Sequence, residues 1–266
     1  MKKRFDWFEI LLILAVLGVS VYAAFSDSQN LAMRWFIRDD AYYYFKVAQN
    51  ISEGLGSTFD GVNPTNGYHP LWMLICIPIF ALARFDLILP LRILLIVLGA
   101  FSAGTGVLCY RLLGRVFHPV VGALAAVYWV FNYDILQRVY QMGLETGLAV
   151  LCVVWLAYKL YEFETNWRTG LTTQRQLMGL GFAALLAAFS RLDLVFLAGM
   201  VGLWILFRRS PLRYLLPLDL VALPVSVLLA FILRIGMRDY LEFSSAALTM
   251  AAIAVAVKLP DRKSVV

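Results

Sequence analysis

Residues 38–72 read RDDAYYYFKVAQNISEGLGSTFDGVNPTNGYHPLW and hold the densest group of chemically able side chains in the chain. Asp39 and Asp40 are adjacent carboxylates, followed by Tyr42, Tyr43, Tyr44 and Lys46, then by Asn66, Tyr68 and His69. Carboxylates and histidine are the usual carriers of acid–base chemistry. Two further places add ionisable groups next to apolar sequence: Glu145 in QMGLETGL, and Arg191 with Asp193 in FSRLDLVF. Charges at the mouth of an apolar bundle are expensive to hold there, and so are functional candidates.

The elements that must position these residues are membrane helices. The chain has 266 residues, 62% of them hydrophobic, and a mean hydropathy of +0.77. A soluble domain is nearer half apolar, and a bilayer-crossing helix needs about 20 mostly apolar residues. Apolar runs lie near 10–25, 71–83, 91–110, 117–131, 145–160, 177–189, 194–207, 214–235 and 246–257. The fold class expected is all-α, a polytopic transmembrane helical bundle forming a single membrane domain over 1–266. An external loop, 26–70, separates its first two spans. The net charge of +6 does not indicate nucleic acid, because most Lys and Arg flank the ends of apolar runs. Cys76, Cys109 and Cys152 all sit in apolar sequence and read as small core hydrophobes.

Within the loop, Ala41, Tyr44, Phe45, Ala48 and Ile51 or Ser52 recur at helical spacing. Asp40, Tyr43, Lys46, Gln49, Asn50 and Glu53 take the other face. This predicts a short amphipathic helix along the membrane surface, capped by Asp39 or Asp40 and ended by Gly54 or Gly56. A turn-rich stretch follows, over 58–70. The run 71–83 has only 13 residues and contains Pro78, which suits a re-entrant or interfacial segment. Charge supports that reading. With 71–83 not crossing, Arg111, Arg115, Lys159, Arg168, Arg175, Arg208, Arg209 and Arg213 share a side with Lys2, Lys3 and Arg4. Positive-inside bias then places both termini in the cytoplasm, and Asp39, Asp40, His69, Glu145, Arg191 and Asp193 outside.

The order of these features resembles the polytopic glycosyltransferases of the GT-C class, such as protein O-mannosyltransferases and lipid A aminoarabinose transferases. RDDAYYYFKVAQNI after a first span is similar to the acidic first external loop of that class. NGYHPLW is similar to the segment that follows it, MGLET to its second acidic site, and SRLD to a recurring bacterial segment. The resemblance covers about residues 1–240 and implies transfer of a sugar from a polyprenyl-phosphate donor to a glycan, lipid or protein acceptor. It implies an inverting enzyme in the inner membrane, working at the external face. Catalytic residues would be Asp40, Asp39 and Glu145, with Asp40 favoured as the base. Arg191, Lys46 and Arg138 would face the donor phosphate, where arginine's forked donors suit an anion. Asp193, His69, Tyr43, Asn66 and Tyr68 complete the expected substrate-binding set, and Trp72 is a further aromatic. No cofactor is expected. The alternative is a divalent metal, Mg or Mn, on Asp39, Asp40 and Glu145. Neighbours on a helix point ~100° apart, so Asp39 and Asp40 alone chelate poorly. Absence of a Gly-rich dinucleotide fingerprint argues against a nucleotide-sugar donor.

Plainer readings stand beside each signal. Asp39, Asp40 and Glu145 can be helix caps, Arg191 and Asp193 an orienting pair, and the tyrosines an aromatic belt. Asn50-Ile51-Ser52 matches a glycosylation sequon and carries little weight. Asp219 is expected to face protein. A transporter or flippase of lipid-linked substrates would show mid-span charges and an internal repeat, and only Asp219 suggests either. A non-catalytic scaffold would not need so polar a loop. The tail, ending KLPDRKSVV, departs from the family's continuation and reads as C-terminally short. The enzyme reading predicts that Asp39 or Asp40, Glu145 and Arg191 converge on one cavity.

Overall fold

The computed structural model describes residues 6–27, 31, 34–36, 38–207 and 248–249. The chain divides into two compact units, Met1–Leu194 and Val195–Val266. All regular elements among the described residues are helical; the one β-bridge, Thr58 to Pro64, is isolated. The runs 214–235 and 246–257, and Asp219, lie outside the described residues, apart from Leu248 and Thr249.

In the first unit, α1 is Trp7–Ala24, α2 Asp39–Ser52, α3 Pro70–Leu82, α4 Leu89–Val116 and α5 Pro119–Phe131. A single turn, α6 (Tyr133–Ile135), runs into a π-turn at Leu136–Tyr140. Then come α7 (Thr146–Arg168) and α8 (Gln174–Ser190). In the second unit α9, Val195–Phe207, is an apolar helix of 13 residues. Among the described residues three helices are long and apolar enough to cross a bilayer: α1 (18 residues), α4 (28) and α7 (23). The α5 helix and its continuation make a fourth if the 53° bend between them belongs to one span. The chain is therefore an all-α membrane protein. At 13 residues α3 is about 20 Å long, well short of a ~30 Å hydrocarbon core.

Helix directions follow from the side chains that meet. Asp6 caps α1, accepting from the Glu9 N–H, and also accepts from Tyr110 Oη at 2.8 Å. Glu9 is buried and takes both fork donors of Arg111, at 2.5 and 2.6 Å. At the other end of the pair, the Arg92 guanidinium lies over the Phe25 ring. So α1 and α4 are antiparallel. Between them Leu12 and Val16 pack on Ala103 and Val107 of α4 and on Ala126 and Val130 of α5. Gly122 lets α5 approach the α4 backbone; a Cβ there would sit 2.4 Å from the Tyr110 carbonyl oxygen. Such small-residue contacts are how helices associate where lipid supplies no hydrophobic drive.

Arg115 reaches Glu162 at 3.2 Å, which sets α4 and α7 parallel. Arg191, just after α8, lies 3.6 Å from Glu145, just before α7, which sets α8 antiparallel to α7. Arg111, Arg115 and Lys159 thus gather at one end of the bundle with the start of α1. The residues preceding α7 and following α8 gather at the opposite end, where α2 and α3 lie. If α1 and α4 both cross a membrane, their antiparallel pairing leaves α3 no crossing to make. This agrees with the short length of α3 and with the sorting of basic residues.

Candidate functional site

The α2 helix presents the acid pair. Its N-cap is Arg38, with no side-chain cap bond, so Asp39 and Asp40 are the first two helical residues and not caps. Asp39 Oδ1 accepts the Asp40 N–H at 3.1 Å. The Asp40 carboxylate has no hydrogen-bond or ion-pair partner among the described residues. The helix ends as the sequence predicts, on Gly54 at φ +84°. Leu55 N–H donates to the Asn50 carbonyl and Gly54 N–H to the Ile51 carbonyl, a Schellman end.

The buried face of α2 holds Ala41, Tyr44, Phe45, Val47 and Ala48, and also Asn50, which the sequence assigned to the polar face. Asn50 turns inward because its amide clamps the following loop, donating to the Thr58 and Phe59 carbonyls at 3.0 and 3.1 Å. At 1% exposed it is no glycosylation acceptor. The loop closes on itself as well. Ser57 Oγ donates to the Thr65 carbonyl and pairs with Tyr68 Oη at 2.8 Å, and Tyr43 Oη bonds Thr65 Oγ1. Asp60 accepts from the N–H groups of Asn63 and Val62 and from the Asn63 amide, which hold its carboxyl down at about 2. Tyr68 therefore braces the loop, and Asn66, whose carbonyl takes the Tyr68 N–H, is exposed. Trp72 is fully buried with its ring edge-on to Phe101, so it cannot face a ligand in the loop.

Glu145 forms the second group. It immediately precedes α7 but makes no capping bond. Its carboxylate is 6% exposed and lies 3.6 Å from His69 Nε2 and 3.6 Å from Arg191 Nη1. Tyr44 Oη accepts the His69 backbone N–H at 3.0 Å, and the Glu145 carboxylate is near enough to act on the phenol. Burial raises the Tyr44 phenol well above its ordinary pKa, and the Glu145 charge adds to this against the His69 N–H. His69 Nδ1 accepts the Leu192 N–H at 3.2 Å, which leaves the Nε2 hydrogen pointing at Glu145 in the neutral ring. Arg191 closes a fork on Asp193, at 3.1 and 3.3 Å. Burial opposes charge on Asp193, but the Arg191 fork outweighs it and holds the carboxyl below its usual range. Glu145 thus sits among polar groups from α2, from the start of α3 and from the end of α8.

The acid pair stands elsewhere. Asp39 and Asp40 line a cavity of about 630 Å³ shared by α2, the end of α3 and the start of α4. Its polar wall includes Tyr43, Lys46, Gln49 and Arg84, and its apolar wall Phe80, Leu87 and Leu91. Glu145, His69 and Arg191 are not in that lining, so the expected convergence on one cavity is not what the structure has. Asp39, Asp40 and Glu145 likewise do not form a metal-holding group, and no three His, Cys, Asp or Glu do so among the described residues. Arg138 is exposed in the π-turn and outside both groups.

Comparisons with protein-family models, with curated proteins and with solved structures find no match.

Sequence reasoning missed three residues. Tyr44 counts as apolar in a periodicity reading, yet its hydroxyl links the two groups' elements. Arg84 follows the α3 run in ALARFD and has no local motif to mark it. Phe59 stacks on Tyr43 at 5.5 Å between ring centroids, a contact made only by the folded loop. Chemically, the cavity offers an unengaged carboxylate, two cations, aromatic faces and an apolar wall. The Glu145 group offers a buried carboxylate between an imidazole and a guanidinium, suited to holding elements in place.

Proposed function

We propose that the chain is a membrane glycosyltransferase of GT-C type that moves a sugar from a polyprenyl-phosphate donor to a glycan, lipid or protein acceptor. The carrying observation is that Asp39 and Asp40 line a cavity together with the apolar side chains of Phe80, Leu87 and Leu91. A lipid-linked sugar needs both surfaces at once: polar groups for the head and hydrocarbon contact for the chain. Asp40 is the better base, because Asp39 is engaged with the Asp40 N–H while Asp40's own carboxylate is unengaged. It would accept the acceptor hydroxyl's proton as the phosphate leaves. The end of the bundle holding α2 and α3 would face the cell exterior, across an inner membrane from the basic end.

The test supplies radiolabelled donors to membranes containing the full chain. Transfer is expected from a polyprenyl-phosphate sugar, and Asp40→Asn should reduce it by about 10²–10⁴-fold, the usual cost of losing a positioned base. Transfer from a nucleotide sugar in membranes stripped of polyprenyl phosphate would overturn the reading.

A further inference from the structure

Two cations, Lys46 and Arg84, line the α2–α3–α4 cavity. Five cations described in the bundle are ion-paired: Arg111 with Glu9, Arg115 and Lys159 with Glu162, Arg168 with Glu164, Arg191 with Asp193. The two cations in the cavity wall are not. Among the described residues Arg84 has no ion pair or hydrogen bond, and Lys46 Nζ touches only the neutral amide of Gln49, at 3.5 Å. Two unpaired cations facing one space are a place for an anion.

The apolar wall continues outward. Phe80, Leu87 and Leu91 line the cavity, and the α3–α4 turn beside it exposes Leu82, Phe85 and Leu87 at 77%, 79% and 83%. In water such a turn would be a costly apolar patch; against acyl chains it is at home. The apolar lining of the cavity thus runs on into the exposed α3–α4 turn.

The lining also holds carboxylates, and these limit the anion. Asp39, Asp40 and Asp86 line the cavity with Lys46 and Arg84, three formal negative charges against two positive. Asp86 is met by the N–H groups of Ile88 and Leu89, at 2.7 and 3.1 Å. The wall is therefore slightly acidic overall while offering two free cationic donors. A phosphodiester carries one negative charge; a phosphomonoester carries about 1.5–2 near neutral pH. Each added unit meets the same carboxylates at short range, where like charges repel.

We propose that this cavity binds a singly charged phosphodiester carried on an apolar chain, with Lys46 and Arg84 as its anion-binding cations, and that it disfavours the corresponding monoester. The inference rests on the glycosyltransferase reading and deepens it. A lipid-linked sugar phosphate is such a diester, and the lipid monophosphate left after transfer is such a monoester. The cavity would hold the substrate and release the product. Arg191, which the sequence put forward for this role, is engaged with Asp193 and Glu145 and lies outside the lining.

The test uses the full chain in nanodiscs of neutral lipid. Binding is measured for farnesyl methyl phosphate, farnesyl phosphate, farnesol and inorganic phosphate. The diester should bind several-fold tighter than the monoester and at least tenfold tighter than farnesol, with inorganic phosphate weakest. Arg84→Gln and Lys46→Gln should each weaken the diester by about 10–100-fold, the worth of a charge-assisted hydrogen bond, and leave farnesol unchanged. Arg168→Gln, at the opposite end, controls for general charge. Equal binding of diester and farnesol, a preference for the monoester, or a loss with Arg191→Gln alone would overturn the inference. These outcomes leave sugar transfer and its Asp40 dependence untouched. Failure of every prenyl ligand to bind would overturn the inference and the donor class together.

Discussion

At the scale of the residue, Glu145 shows how one side chain can carry different roles on paper and in space. By sequence it is an acid at the start of a span, a cap or a catalyst. Folded, it caps nothing and faces three polar groups: Tyr44 Oη, His69 Nε2 and Arg191 Nη1. A buried carboxylate set between a guanidinium and an imidazole is suited to fastening the elements that carry them. Glu145→Ala should therefore lower the unfolding free energy by about 1–3 kcal/mol, the usual cost of leaving buried polar groups without their partner. Tyr44→Phe should lose less, since His69 and Arg191 keep their acceptor. Chemical denaturation of the purified protein in detergent measures both. An Ala variant as stable as the wild type would show that the network fastens nothing.

At the scale of the element, the network depends on the bend that delivers Glu145. Phe36 is buried with φ +56° and donates its N–H to the Gln141 carbonyl at 2.7 Å. Its ring lies against Gly143, where an added Cβ would come within 2.3 Å of it. Gly143 itself has φ +72°, a conformation L side chains rarely adopt. Both requirements are met by glycine alone. Gly143→Ala should therefore destabilise by about 1–3 kcal/mol through strain and overpacking, read as a lower thermal midpoint. Gly54→Ala, also at positive φ but with open space around it, should cost less, and equal losses would remove Phe36 from the account.

At the scale of the whole molecule, α1 and α4 run antiparallel and α4 and α7 parallel. The basic end and the α2–α3 end are thus opposite ends of one bundle. Val62, 78% exposed in the loop after α2, and Arg168, at the close of α7, sample the two ends. In intact cells Val62→Cys should react with an impermeant thiol reagent added outside, while Arg168→Cys should be protected. The reverse pattern would invert the orientation and move the cavity to the cytoplasmic face.

Composition and periodicity alone determine the class of this protein and the amphipathic character of α2. Both arise from burying apolar surface, and that cost is written residue by residue. The shortness of the helix at 71–83 was legible too, because length is a local quantity. What shares a site is not local. Glu145 and His69 are 76 positions apart, and their meeting depends on how α7, α8 and the start of α3 pack. The sequence grouped Asp40, Glu145 and Arg191 because they share a side of the membrane, which is a weaker condition than sharing a cavity. Tertiary structure separated them: ion-pair contacts hold Glu145 and Arg191 together, while Asp40, Lys46 and Arg84 line a different cavity.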